Sequence, residues 1–163
     1  MVELKDLSRY IGTKIINAVE MKLGKYNFYR GWEIPKNEDP EREGYLVVYP
    51  DGYESWSPKE AFDEAYRRTD NMNFGLALEA LKKGFKVARS GWNGKDMFLW
   101  LQEGSQVTEE EARNTILQDC FVDRGGKITL LPHIDMKTVG GEALIGWLAS
   151  QTDMLSDDWF IVD

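Results

Sequence analysis

Apolar and polar positions alternate along the first part of the chain in the pattern of short β-strands. Residues 13–21 are rich in β-formers and follow a glycine, and a polar stretch rich in Pro and Glu separates them from residues 44–56. In that second segment, Asp51 and Gly52 join two runs of aromatic and β-branched residues, which is typical of a β-hairpin. The pattern predicts a short antiparallel sheet.

A helix is predicted directly after this hairpin. Ser57 and Glu60 have the spacing of a capping box, and Pro58 suits the first helical position. The helix runs to about Arg68 and places Phe62, among other apolar residues, on one face.

The second part of the chain begins with another helix, predicted over Asn73 to Lys83 and stopped by Gly84. Thr108 is predicted to cap a further short helix. Four strands are predicted around these helices, over residues 85–89, 97–102, 127–131 and 159–162.

A polar join at residues 69–71 separates the two parts. We therefore predict an α+β protein with two small domains, each a short antiparallel sheet with a packed helix. Residues 1–70 form an accessory domain of a β-hairpin and a helix, and residues 71–163 form a ligand-binding domain. Small domains bury a limited fraction of their surface, which favours assembly into an oligomer.

Charge and hydropathy exclude some classes of partner. The net charge is −8, and both parts of the chain are acidic without a basic stripe, which argues against binding to duplex nucleic acid. No stretch approaches the ~20 apolar residues that cross a bilayer, and the N-terminus lacks signal-peptide features. A single cysteine suits a reducing compartment, so a cytoplasmic protein is expected.

Catalytic residues are scarce. The one histidine, His133, is more typical of a hydrogen-bonded structural residue than of a general base, and Cys120 has the apolar neighbours of a buried, inert thiol. A zinc site needs more Cys and His than the chain has. The acidic residues Asp153, Asp157 and Asp158 are better explained by a solvated turn and a helix cap than by acid–base chemistry. We predict no catalytic residue, no metal site and no cofactor.

Two segments concentrate aromatic, amide and charged side chains suited to a nucleotide. In residues 89–97, Trp92 occupies a glycine-flanked turn, and residues 147–159 place Ser, Gln and Asp between two tryptophans. Indole rings stack on bases, amides and carboxylates bond to base edges and ribose, and cations meet phosphate. The competing interpretation is structural, with core tryptophans and a Ser-x-x-Asp helix cap. The candidate ligand-binding residues are Arg89, Trp92, Asn93, Lys95, Met97, Trp147, Ser150, Gln151 and Asp153.

The same segments carry a family likeness. The matching strings lie at residues 72–78, 86–89, 91–95, 131–137, 147–155 and 158–159. Residues 72–163 resemble a short phage and prophage domain that includes the Thoeris anti-defence (Tad) proteins of the second type. Residues 44–59 resemble another small phage-encoded module of unsettled function.

The resemblance implies a sponge that performs no chemistry. Such proteins bind and sequester a cyclic ADP-ribose isomer made by bacterial TIR-domain enzymes, and some also take cyclic oligonucleotides at a separate site. They assemble as oligomers, typically homotetramers, in the host cytoplasm. Two alternatives stay open: an adaptor that binds a host protein through exposed tryptophans, and an enzyme that degrades the nucleotide with Asp153 or Asp158 as its base.

Overall fold

The computed structural model describes residues 13–113, 115–121 and 126–162. The chain divides into two compact units, of which the first ends at Arg67 and the second begins at Arg68. Across the described ranges, both units combine short antiparallel sheets with helices. None of the helices described is long and apolar enough to cross a membrane. The predicted α+β class is confirmed.

The first unit contains a three-stranded antiparallel sheet in the order β1-β2-β3. Its strands are β1 (Asn17–Glu20), β2 (Gly44–Val48) and β3 (Glu54–Pro58). The central strand supplies Leu46 and Val47 to the buried core. The turn between β2 and β3 includes Gly52 at a φ of +82°, a conformation that favours glycine. The predicted hairpin is confirmed.

Two helices accompany this sheet. Helix α1 (Leu23–Arg30), which the sequence pattern does not predict, buries Leu23 and Tyr26. Helix α2 (Lys59–Ala65) packs on the hairpin, where the ring of Phe62 stacks on Tyr45 with centroids 4.0 Å apart. Helix α2 and the sheet are therefore joined largely through aromatic rings.

The predicted cap of α2 is wrong. Ser57 lies in β3 opposite Tyr45, and its side chain makes no capping bond to the helix. Pairing with β2 continues through Pro58, so that extended residue becomes the N-cap and the helix starts at Lys59. Strand pairing has overridden a local helix-start signal.

The second unit is built on a five-stranded antiparallel sheet in the order β10-β4-β5-β8-β9. Its strands are β4 (Lys86–Arg89), β5 (Phe98–Gln102), β8 (His133–Lys137), β9 (Ala143–Leu144) and β10 (Trp159–Val162). An isolated bridge pairs Met72 with Trp159, so the start of the unit is hydrogen bonded to its last strand.

Helix α3 (Phe74–Lys82) packs against this sheet and forms the main core. Asn73 caps it, since its side chain accepts a hydrogen bond from the backbone N–H of Leu76 at 3.0 Å. Gly84, at a φ of +86°, follows the helix as predicted. The helix and sheet residues buried together are Ala77, Ala80, Leu81, Val87, Leu99, Met136 and Trp159.

A separate hairpin pairs β6 (Ser105–Thr108) with β7 (Lys127–Leu130), and a 3₁₀ helix (Ile116–Phe121) lies between them in the chain. Thr108 ends β6 and also caps the turn that follows: its backbone N–H donates to the Glu111 carboxylate at 2.8 Å, and its carbonyl accepts from the N–H of Ala112 at 3.0 Å. The predicted capping role is confirmed, but on a turn at residues 109–113 rather than on an α-helix. Cys120 is exposed rather than buried, because this face of the 3₁₀ helix lies at the surface.

Candidate ligand site

Three tryptophans and one phenylalanine of the second unit pack into one aromatic cluster. The ring centroids of Trp92 and Trp147 are 6.4 Å apart, and Trp159 lies 5.5 Å and 6.2 Å from them. Phe74 of α3 lies 5.4 Å from Trp159. Trp159 is fully buried, whereas Trp92 and Trp147 are half-buried. This indole pair, Trp92 and Trp147, retains solvent-accessible surface while resting against a buried third indole.

A nearly buried guanidinium lies beside the cluster. Arg89, at the end of β4, donates from Nε to Asp158 at 2.8 Å and from Nη1 to Asp153 at 2.7 Å. Its side chain is 9% exposed, and the guanidinium lies 5.9 Å from the ring centre of Trp159. One positive charge is thus shared by two carboxylates, which leaves a net negative charge at this point.

Asp153 connects the ion pair to the indole pair. Its Oδ1 accepts from Arg89 and, at 3.1 Å, from the indole N–H of Trp92. Its Oδ2 accepts from the hydroxyl of Ser150 at 2.6 Å, and both halves of a capping box are present at the start of α4 (Gln151–Met154). Burial alone raises the pKa of Asp153, but the hydrogen bonds from Ser150, Arg89 and Trp92 outweigh it and lower the pKa to about 2. Asp153 is therefore ionised wherever the protein is folded near neutral pH.

The turn that carries Trp92 is held by Asp158. The backbone N–H of Gly91 donates to Asp158 Oδ2 at 2.7 Å, and the Arg89 hydrogen bond holds the pKa of Asp158 below its usual value. A Cβ on Gly91 would lie 2.6 Å from that same oxygen, so only glycine allows this close approach. The close approach of Asp158 therefore explains why glycine precedes Trp92.

The loop that carries Trp147 has a comparable arrangement. Gly146, at a φ of +79°, donates its N–H to Asp135 Oδ1 at 2.9 Å. The next residue, Trp147, donates its backbone N–H to the carbonyl of Ile134 at 2.7 Å. Two consecutive amides thus fasten the loop to β8.

The structure brings five of the predicted ligand-binding residues together: Arg89, Trp92, Trp147, Ser150 and Asp153. Arg89, Ser150 and Asp153 make the contacts of a helix cap and an ion-pair network, as the structural interpretation of this segment expects. Asn93, Lys95 and Gln151 are exposed, and Met97 is half-buried against the core. The binding role of all nine residues stays a prediction.

Sequence reasoning misses several residues that shape this region: Phe74, Asp135, Asp158 and Trp159. Asp158 and Trp159 stand in one of the matching strings, but the contacts of Asp158 with Arg89 and Gly91, 69 and 67 positions earlier, leave no local pattern. Alternation along β8 hides Asp135, since polar and apolar residues alternate regularly over residues 133–137 and place this carboxylate on the polar face.

The remaining chemistry-bearing residues occupy structural positions. His133 Nδ1 is 2.9 Å from the carbonyl of Leu131, which confirms the expected hydrogen-bonded histidine. Among the residues that the structure describes, no three His, Cys, Asp or Glu side chains are grouped as metal ligands would be. The candidate site presents the partly exposed indole pair, and Asn93, Lys95 and Gln151 lie close to it in the sequence.

The second unit is thus a small α+β domain organised around a partly exposed pair of tryptophans. Residues 72–162 match the sequence model of the Thoeris anti-defense 2-like domain. Over 94 residues the chain is 39% identical to a protein of Bacillus phage SP01 named "Thoeris anti-defense 2", an alignment that covers 56% of this chain and 94% of that protein. The chain belongs to the Thoeris anti-defense 2-like family, which confirms the resemblance drawn from residues 72–163.

Proposed function

We propose that this protein counteracts Thoeris immunity in the host cytoplasm by sequestering a cyclic ADP-ribose isomer without degrading it. The observation that carries the proposal is the indole pair, held half-exposed at the surface of a Thoeris anti-defense 2-like domain. A sponge must hold its signal below the effector's threshold, which calls for nanomolar affinity, roughly −12 kcal/mol.

The side chains around the indole pair match the parts of such a ligand. An indole face stacks on adenine, a contact worth ~1–3 kcal/mol per base. Asn93 and Gln151 are exposed amides next to the two aromatic segments, and Lys95 supplies an exposed cation for a phosphate. Because Arg89 is already bound by two aspartates, we assign it to holding the site rather than to direct phosphate contact.

Capture rather than cleavage is favoured by the state of the carboxylates. A general base works best with a pKa near the operating pH. The pKa of Asp153 is lowered to about 2, and that of Asp158 is lowered chiefly by its hydrogen bond from Arg89. Both are poor proton acceptors, so we propose that neither acts as a catalytic base.

We further propose that the ligand is enclosed between subunits of a homotetramer. Exposed apolar side chains are concentrated around Trp147, with Leu148 89% and Leu155 80% exposed. The other exposed apolar residues of this stretch are Val139, Leu144, Ile145 and Met154. Contiguous exposed apolar surface marks interaction sites, and tight capture of a small ligand requires an enclosed pocket. A second copy of the chain would supply both.

Native mass spectrometry tests this proposal directly. The protein is incubated with cyclic ADP-ribose isomers made by a TIR-domain enzyme, and the bound ligand is weighed before and after denaturation. We expect stoichiometric binding and release of ligand of unchanged mass. Trp92→Ala should weaken binding ~10–100-fold, as loss of one stacking contact predicts, while the oligomer persists. Trp32→Ala, which removes an exposed tryptophan of the first unit, is the matched control.

Other results would each contradict part of the proposal. Turnover of excess ligand would identify an enzyme. A protein partner recovered from host extract, with no small molecule bound, would identify an adaptor that uses the exposed aromatic and apolar side chains. Equal ligand affinity in Trp92→Ala and Trp32→Ala would show that the indole pair is not part of the binding site.

A further inference from the structure

We infer that Asp135 is a positioning residue for the ligand site, because its buried carboxylate fixes the loop that carries Trp147. The inference rests on the proposed function only where it concerns affinity. Its structural part, that Asp135 determines where the Trp147 indole lies, stands on the hydrogen bonds and burial of the second unit alone.

The burial of Asp135 is costly in itself. Only 2% of this residue is exposed, and it lies on β8 opposite Trp100 of β5. Removing a carboxylate from water is unfavourable unless hydrogen bonds compensate, and apolar residues of similar volume commonly do at least as well for stability. The position of the buried Asp135 carboxylate within the sheet is therefore explained by the loop to which it is hydrogen bonded.

What Asp135 holds is the loop backbone. Its Oδ1 accepts the N–H of Gly146 at 2.9 Å, and the imidazole Nε2 of His133 lies 3.5 Å from the same oxygen. The following amide, that of Trp147, is bonded to Ile134 at 2.7 Å. One side-chain and one main-chain acceptor on neighbouring β8 residues thus fix two successive peptide groups. The direction of the Trp147 side chain follows from that backbone.

The other member of the indole pair is held in a parallel way. Gly91 donates its N–H to Asp158 at 2.7 Å, and the next residue is Trp92. In both places a glycine amide immediately before the tryptophan is bonded to a carboxylate from a different element. Asp158 also binds Arg89, so its replacement would disturb an ion pair as well. Asp135 offers the cleaner test.

Fluorine NMR of protein labelled with 5-fluorotryptophan reports on the indole position. The Trp147 resonance is assigned from its absence in Trp147→Phe. We expect Asp135→Ala to shift or broaden this resonance, and Asp135→Asn to restore it, because an amide oxygen can still accept from Gly146. The resonances of Trp32 and Trp56, which belong to the first unit, should not move. Asp157→Ala, which removes an exposed carboxylate of the same unit as Asp135, serves as the control.

Calorimetric titration with the TIR-produced cyclic ADP-ribose isomers gives the second readout. Asp135→Ala should weaken binding by about tenfold or more, and Asp135→Asn by no more than about threefold. A purely structural role would lower stability without this selective shift and without rescue of the Trp147 signal by asparagine. An unmoved Trp147 resonance in Asp135→Ala overturns the inference, and so does a moved resonance with unchanged affinity.

A second pair of variants perturbs the backbone of the Trp147 loop without altering the Asp135 carboxylate. An added Cβ meets nothing within 4 Å at either Gly146 or Gly141, and both have positive φ angles, so alanine introduces backbone strain alone at each. Gly146→Ala should reproduce the Trp147 shift and the loss of affinity, whereas Gly141→Ala should not. This pair tests whether the loop backbone sets the position of the Trp147 indole, and Asp135→Asn tests the carboxylate if Asp135→Ala does not fold. If the native protein binds none of the isomers, the proposed function fails, and the fluorine spectra still show whether Asp135 holds Trp147.

Discussion

The two units use their tryptophans in different ways. In the first unit, tryptophans pair with arginines at or near the surface, with Arg30 5.0 Å from the ring centre of Trp32 and Arg42 5.7 Å from that of Trp56. In the second unit, indoles pack against one another, and the indole N–H groups of Trp92 and Trp159 are both bonded to Asp153. Surface cation–π contacts are worth about 0.5–1 kcal/mol, whereas buried, hydrogen-bonded rings contribute several times more. The second unit therefore holds its tryptophans in a more rigid arrangement.

The largest expected effect on this contrast is at Trp159. Replacing a fully buried tryptophan with alanine removes the contacts beneath the indole pair, and Trp159→Ala should lower the free energy of unfolding of the second unit by ~3–5 kcal/mol. Trp32→Ala, at a half-exposed ring, should cost less than ~1 kcal/mol. Hydrogen exchange resolved by peptide measures each unit separately. Comparable losses at the two positions would contradict the contrast.

The next largest effect concerns the two arginines. Arg89→Met leaves two carboxylates without their cation in a nearly buried position, which should destabilise the second unit by ~3 kcal/mol. Arg30 pairs with Glu54 at 3.4 Å in a more exposed position, so Arg30→Met should cost no more than ~1 kcal/mol. Urea denaturation of the two variants at equal ionic strength checks the ranking, and high salt should affect only the pair in the first unit.

The smallest effect is a dependence on pH. The pKa of Asp153 falls from 3.8 to about 2 on folding, so its contribution, about 2 kcal/mol, is fully present above pH ~4 and is lost as the pH falls towards 2. Asp153→Asn should flatten the acid limb of the stability curve. Glu142 also has a lowered pKa, owing first to its bond from Thr138, but it is exposed. Glu142→Gln should leave the acid limb unchanged. A steeper acid limb in Asp153→Asn would mean that the ionised carboxylate of Asp153 does not stabilise the fold.

Local patterns succeed where the deciding contacts are local. The limits of α3 follow from Asn73 and Gly84, and the β2–β3 hairpin follows from its Asp-Gly turn, because these signals act over a few residues. Ser57 misleads because it pairs with Tyr45 in the sheet, and this pairing continues through Pro58, so the helix starts at Lys59.

In the candidate site, too, some features follow from local sequence signals and others depend on residues far apart in the chain. Trp92 and Trp147 are identifiable from their glycine neighbours and amide-rich surroundings, and the alternative Ser-x-x-Asp cap is also visible in the sequence. The bonds from Arg89 to Asp158 and from Gly146 to Asp135 are not, because each joins residues that only the sheet brings together. Spacing along a chain carries no signal for such partners without the fold.

The bridge between Met72 and Trp159 has a consequence for synthesis. These residues begin and complete the second unit, and Trp159 is the ring against which Trp92 and Trp147 pack. A nascent chain that has emerged only as far as α4 therefore has two unsupported indoles and exposed apolar surface. Because domains fold as units during translation, the cluster can close only after β10 has left the ribosome.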